Sequence, residues 1–165
     1  MRTRDIVNAC LFQFGWLASV LGGNPGALSA GLLALAGHWF WVSRSGAEWR
    51  FMAGAAVLGL GLDMLLSQLG AIRFNGALVL GLPAWLAVLW LVFLSTLNHA
   101  LRWLGRSLWL AAAVGAVGGP LSYWAGIRLG AGSFGWQPLH ALLAMAIVWA
   151  LWLPALVAWV RRRPE

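Results

Sequence analysis

The residues able to do chemistry are few and lie in apolar surroundings. Asp63 interrupts the stretch LGLGLDMLLSQLG, residues 58–70. A carboxylate at mid-helix in lipid costs roughly 2.5–3.5 kcal/mol on insertion scales, so it needs a partner facing the same interior. Helical rise sets Tyr123, Ser122 and Ser19 near the same depth, with Arg128 and His140 above them. Two chemistries are open to the set Asp63, Tyr123, Ser122 and Arg128. One is a proton- or cation-holding site. The other is a helix–helix clasp in which Asp63 pairs with Tyr123 or Arg128. A second polar group comes from STLNHALRW, residues 95–103. There Asn98 and His99, with His38, share a depth just inside the opposite face, and Arg102 lies below them. Such a pocket would open to the cytoplasm or to lipid headgroups, with Arg102 suited to phosphate.

Enzyme chemistry finds little support. His140 is at the far end from His38 and His99, and the three histidines show no metal-ligand spacing. No serine has a histidine at matching depth backed by a carboxylate. Glu48 stands beside Arg50 in a hydrophilic loop and reads as a solvated charge. The lone Cys10 rules out an internal disulfide and a multi-cysteine metal site. There is no phosphate loop and no dinucleotide fingerprint. The expectation is a protein without catalytic residues, metal or cofactor.

The elements that must position these residues are membrane-type helices. Of 165 residues, 62% are apolar and only 9% charged, where a soluble domain carries about a quarter charged residues. Mean hydropathy is +0.82. Thirteen tryptophans against one tyrosine suit a chain that meets two membrane interfaces. Six apolar segments are each about long enough to cross a 30 Å hydrocarbon core: 5–22, 26–43, 50–70, 83–103, 108–130 and 138–160. GGNPG (22–26) should close the first hairpin. SRSGAEWR (43–50) is the one clearly hydrophilic internal loop. FNGALVLGLP (74–83) and GAGSFGWQP (130–138) are Gly-rich and end in Pro. No linker divides the chain, so residues 1–165 read as one domain. The first segment has an Arg-bearing start, but Gln13 interrupts its apolar run and no small-x-small site follows. An uncleaved first helix is expected.

The arginines test this count. Six spans put Arg2, Arg4, Arg44, Arg50, Arg102, Arg106, Arg161, Arg162 and Arg163 on one side and only Arg73 and Arg128 on the other. That bias predicts both termini in the cytoplasm. It also explains the net charge of +7 without nucleic acid as a partner.

Helices in lipid associate through close backbone approach and polar contacts. Small residues four apart mark such faces: Ala55, Gly59, Asp63 and Ser67 in the third segment; Gly118, Ser122, Gly126 and Gly130 in the fifth, with Gly115 and Gly119 beside them; Gly15, Ser19 and Gly23 in the first; Ala30, Ala34 and His38 in the second. The bulky WLAVLWLVFL (85–94) reads as a face for lipid or a partner, and Pro120 should kink the fifth helix. The exits GAIRF (70–74) and AGIRLG (125–130) hint at a repeated two-helix unit, although a good helix exit alone would explain them.

Four stretches stand together: FQFGWLASVLGG (12–23), LDMLLSQLG (62–70), STLNHALRWL (95–104) and GGPLSYWAGIRLG (118–130). They span most of the chain, and its sequence resembles the bacterial inner-membrane proteins of domain-of-unknown-function family 2878. The resemblance marks Asp63, Asn98, Pro120 and Tyr123 as motif positions and His99 as a local variation. It carries no established activity. It implies encoding near enzymes that modify membrane fatty acids, such as cyclopropane-synthase-like methyltransferases, which is an association and not a mechanism.

The expected protein is all-α, with six transmembrane helices in three hairpins in a bacterial inner membrane. Two functions fit. One is a non-catalytic accessory protein that holds membrane lipid or docks a lipid-modifying enzyme. The other is a small proton-coupled transporter centred on Asp63 and Tyr123, which with so few helices would act as a homodimer.

Overall fold

The computed structural model describes residues 3–76, 78–79 and 81–162. Arg2 and Arg163, two of the arginines assigned to one side, lie outside them. The fold is mostly helical: α1 Thr3–Gly26, a π-helical turn Ala27–Gly31, α2 Leu32–Gly37, a second π-helical turn His38–Val42, α3 Gly46–Gln68, α4 Ala84–Leu94, a 3-10 turn Arg102–Arg106, α5 Leu108–Arg128 and α6 Pro138–Arg161. Four helical stretches are long and apolar enough to cross a membrane: Thr3–Val42, Gly46–Gln68, Leu108–Arg128 and Pro138–Arg161.

The first of these bends back on itself. Gly23 leaves the helical region at φ 55°, ψ −144°, a conformation glycine tolerates without a Cβ clash. Beyond it the chain returns along α1: Gly31 faces Ser19, Gly15 faces Ala34 and Gly37 faces Leu11. The small residues on these two arms let their backbones approach.

The expected fourth span, 83–103, is α-helical only over Ala84–Leu94. Ser95 Oγ donates to Val92 O at 2.8 Å and Thr96 Oγ1 to Phe93 O at 2.6 Å. Hydroxyls bonded to the preceding turn compete with the helical ladder. The backbone then follows i→i+3 bonds through Thr96, Leu97 and His99.

Nor is α4 a lipid-facing helix. Trp85, Leu86, Val88, Trp90, Val92 and Leu94 are buried, and the helix packs against α1, α2 and α3. In lipid, a helix wrapped by other helices and one wrapped by acyl chains are equally apolar, so hydropathy does not separate them. The α5–α6 hairpin packs chiefly on itself and meets the other helices through Trp16–Ser122, Asp63–Tyr123 and Trp90–Trp149.

The all-α expectation needs one amendment. At the end that carries Arg73 and Arg128, β1 Ile72–Phe74 pairs antiparallel with β4 Gly132–Phe134, and β2 Leu78–Val79 with β3 Leu82–Pro83. The first pair exposes the true register of the repeat. α3 and α5 end in the same way. Gly70 and Gly130 take φ 73° and 93°. Ala71 N donates to Leu66 O and Ala131 N to Gly126 O, both at 2.9 Å. These are Schellman caps. They align LGAIRF (69–74) with LGAGSF (129–134), sixty residues on, rather than GAIRF with AGIRLG. Ser45 and Ser107 likewise cap the starts of the two helices. Register pairs Ile72↔Phe134, Arg73↔Ser133 and Phe74↔Gly132 place a local two-fold axis between the strands. The relation continues inward: Trp90 of α4 covers Gly59 of α3, and Trp149 of α6 covers Gly119 of α5.

Candidate functional site

Asp63 lies where α3, α4 and α5 meet and is fully buried. Trp90 Nε1 donates to its Oδ2 at 2.7 Å. Tyr123 Oη donates to its Oδ1 in a short hydrogen bond. Of the two partners expected for the acid, the structure therefore supplies Tyr123. Arg128 sits 6.0 Å over the ring of Trp124, and among the described residues it makes no ion pair with Asp63. Ser122 turns away from the acid and accepts from Trp16 Nε1 at 3.2 Å. The helix carrying Tyr123 runs through Pro120 without a break in helical structure. The third member of the clasp, Trp90, lies in a stretch that reads as a face for lipid or a partner.

The clasp forms part of the wall of a cavity of about 200 Å³ between the α5–α6 hairpin and the other helices. Its lining is largely apolar and includes the rings of Phe12, Trp16, Phe74, Trp85 and Trp149. Trp149 stacks on Trp90 at 5.5 Å with 4° between the ring planes, which closes one side. On the side between α1 and α5, a shallow depression lined by Phe12, Gln13, Trp16, Gly118 and Ser122 adjoins the cavity. Trp16 and Ser122, joined by their hydrogen bond, line both the depression and the cavity.

The second polar group gathers at the opposite end of the bundle. His38 and His99 come together as their shared depth suggests, with ring centroids 5.4 Å apart. Glu48 stands between them: its Oε1 lies 3.0 Å from His99 Nε2 and 3.4 Å from His38 Nε2. It is 5% exposed, so it is not the solvated charge its loop position suggests. The Ser45 cap starts α3 one turn before it and rotates it inward. Asn8, unnoticed in the sequence, is wholly buried and ties three segments together. Its Nδ2 lies 3.3 Å from His38 Nδ1 and donates to Ser95 Oγ at 3.2 Å, and its Oδ1 accepts from Ala100 N at 3.2 Å. Asn98 is half-buried in the turn beside His99. Arg102 Nε lies 3.8 Å from Asp5 Oδ2, so an ion pair already engages the cation expected to meet phosphate. His38, Glu48 and His99 are the described residues that could hold a metal ion.

No curated protein matches the chain, and no solved structure does. A match over residues 5–155, which takes in the clasp, the cavity lining and the His38–Glu48–His99 group, is to the family described as "Protein of unknown function (DUF2878)", and it is to this family that the chain belongs.

Proposed function

We propose that this chain is a non-catalytic membrane accessory protein that holds the apolar part of a lipid in its aromatic cavity, in the service of membrane fatty-acid modification. The cavity carries the reading. It lies inside a helical bundle fit for lipid, its walls are apolar and aromatic, and a depression between α1 and α5 adjoins it from the side. Pockets of this kind hold mostly apolar ligands oriented by a few polar groups. Here Asp63, Trp90 and Tyr123 are those groups. The volume takes a stretch of acyl chain and leaves the headgroup at the Trp16–Ser122 opening.

In this reading the chain crosses a bacterial inner membrane six times, with both termini cytoplasmic. The antiparallel arms of Thr3–Val42 support two crossings in that stretch, a fourth crossing would need the turns after the short α4 as well as α4 itself, and the arginine distribution supports the orientation. A lipid-modifying enzyme is the partner that would use the held lipid.

Lipid extraction and native mass spectrometry of the protein purified in mild detergent test the proposal. The expected result is a co-purifying lipid at up to one per chain, depleted in Gly118→Leu. Parent protein without lipid, or equal lipid in both proteins, would overturn it.

A proton-coupled carrier is the second reading, favoured by the position of Asp63 in the cavity wall. It stands behind the first because both carboxylate oxygens are already engaged.

A further inference from the structure

Three segments far apart in sequence bring two imidazoles and one carboxylate to a single point. His38 starts the last turn of the second arm of the first hairpin, Glu48 lies in the first turn of α3, and His99 lies in the turn after α4. Their ligand atoms all lie within 4.8 Å of one another. With bonds of about 2.0–2.1 Å, a tetrahedral ion spaces its ligand atoms about 3.3 Å apart. The separations of 3.4 Å and 3.0 Å from Glu48 Oε1 to the two Nε2 atoms bracket that value. Small side-chain rotations would centre an ion.

A second observation points the same way. His38 Nε2 is buried and makes no hydrogen bond. Its nearest polar contact is Glu48 Oε1 at 3.4 Å, an ion-pair distance without an aligned hydrogen bond. Buried polar nitrogens are seldom left in this state. Access is also provided for: the side chains of His38 and Glu48 are 1% and 6% exposed, whereas that of His99 is 17% exposed. The group is therefore closed on two sides and open beside His99.

We propose that His38, Glu48 and His99 bind one divalent transition-metal ion of the zinc class, with the fourth position open on the His99 side. Two imidazoles and one carboxylate are a donor set that suits zinc, and three protein ligands leave a position for water or another ligand. The site stands apart from the cavity and does not depend on its reading. Asn8 sets a cost. With Asn8 Nδ2 facing His38 Nδ1, the ion-free ring carries its proton on Nε2. Binding through Nε2 moves that proton to Nδ1, so the Asn8 amide must shift away.

The test uses the full chain without a histidine tag, purified in detergent, stripped with chelator and titrated with Co²⁺. The expected result is one Co²⁺ per chain with visible d–d bands of tetrahedral intensity, displaced by Zn²⁺. His99→Gln and Glu48→Gln should each weaken binding at least 10-fold to 100-fold, the range that loss of even a supporting partner produces. His140→Gln, altering an exposed histidine at the other end, should leave affinity unchanged. His99→Gln keeps a donor toward Glu48, so its ion-free melting temperature should match the parent and separate ion loss from misfolding. No stoichiometric binding, or equal binding by a folded His99→Gln, would overturn the proposal and leave a hydrogen-bonded clasp.

Discussion

Trp90 and Trp149 stack in parallel, with ring centroids 5.5 Å apart and 4° between their planes, and each indole also covers a glycine in its own hairpin. A Cβ at Gly59 or Gly119 would drive into those rings. Gly59→Ala and Gly119→Ala should therefore each lower stability by about 1–3 kcal/mol, the usual cost of overpacking. Gly61, on the same helix as Gly59, has open space at its Cβ position. Gly61→Ala should be neutral or stabilising by up to about 1 kcal/mol, the helix-propensity difference. Thermal unfolding in detergent, followed by tryptophan fluorescence, checks all three.

The Asp63 clasp makes a quantitative expectation. Tyr123→Phe leaves one carboxylate oxygen without its donor in a buried site, which costs roughly 1–3 kcal/mol. Asp63→Asn and the double variant complete a cycle. Coupling of about 0.5–2 kcal/mol between positions 63 and 123 is expected, since polar contacts in membranes average near 0.6. Zero coupling would mean that the contact does not hold the helices together.

Filling the cavity should separate stability from lipid retention. Nothing lies within 4 Å of a Cβ placed at Gly118, and this residue lines both the cavity and the adjoining depression. Gly118→Leu should keep or raise the melting temperature while retained lipid falls several-fold. A fall in both would mean that the leucine disrupts the bundle.

Topology can be mapped with single cysteines on a Cys10→Ser background. Six crossings put Thr3→Cys and Gly46→Cys on one side and Gly22→Cys and Ser133→Cys on the other. A membrane-impermeant maleimide added to intact cells, with the outer membrane opened, should label only the second pair. Labelling of Thr3→Cys and Gly46→Cys from opposite sides would show that the 40-residue stretch Thr3–Val42 crosses once.

Much of the scaffold was legible in the sequence because lipid imposes a long apolar period and glycine marks its ends. Small-residue stripes also located Ala55, Gly59 and Asp63 on the buried face of α3. Hydropathy does not separate apolar residues that face helices of the same chain from those that face lipid or a partner, which conceals Trp90 and the burial of α4. Glu48 escaped for another reason. Its neighbours Ser45, Arg44 and Arg50 speak of a surface loop, and only the cap geometry reveals that the chain has already turned into a helix. Asn8 is a single polar residue in a hydrophobic run, and no linear signal ties it to Ser95 and Ala100 eighty-seven and ninety-two positions away.

The two-fold relation between the hairpins bears on why an acid is tolerated at all. Asp63 and Tyr123 stand sixty residues apart, the same offset as Leu69 and Leu129. They are matching positions that meet across the axis. Two separate, identical hairpins assembled about that axis would confront each residue with its own copy. Two aspartates there could not both ionise, and two tyrosines would offer no carboxylate to receive their protons. With both hairpins in one chain, the two positions differ, and one side accepts where the other donates. The buried carboxylate and its phenol donor require the two hairpins to be unequal at this matched position.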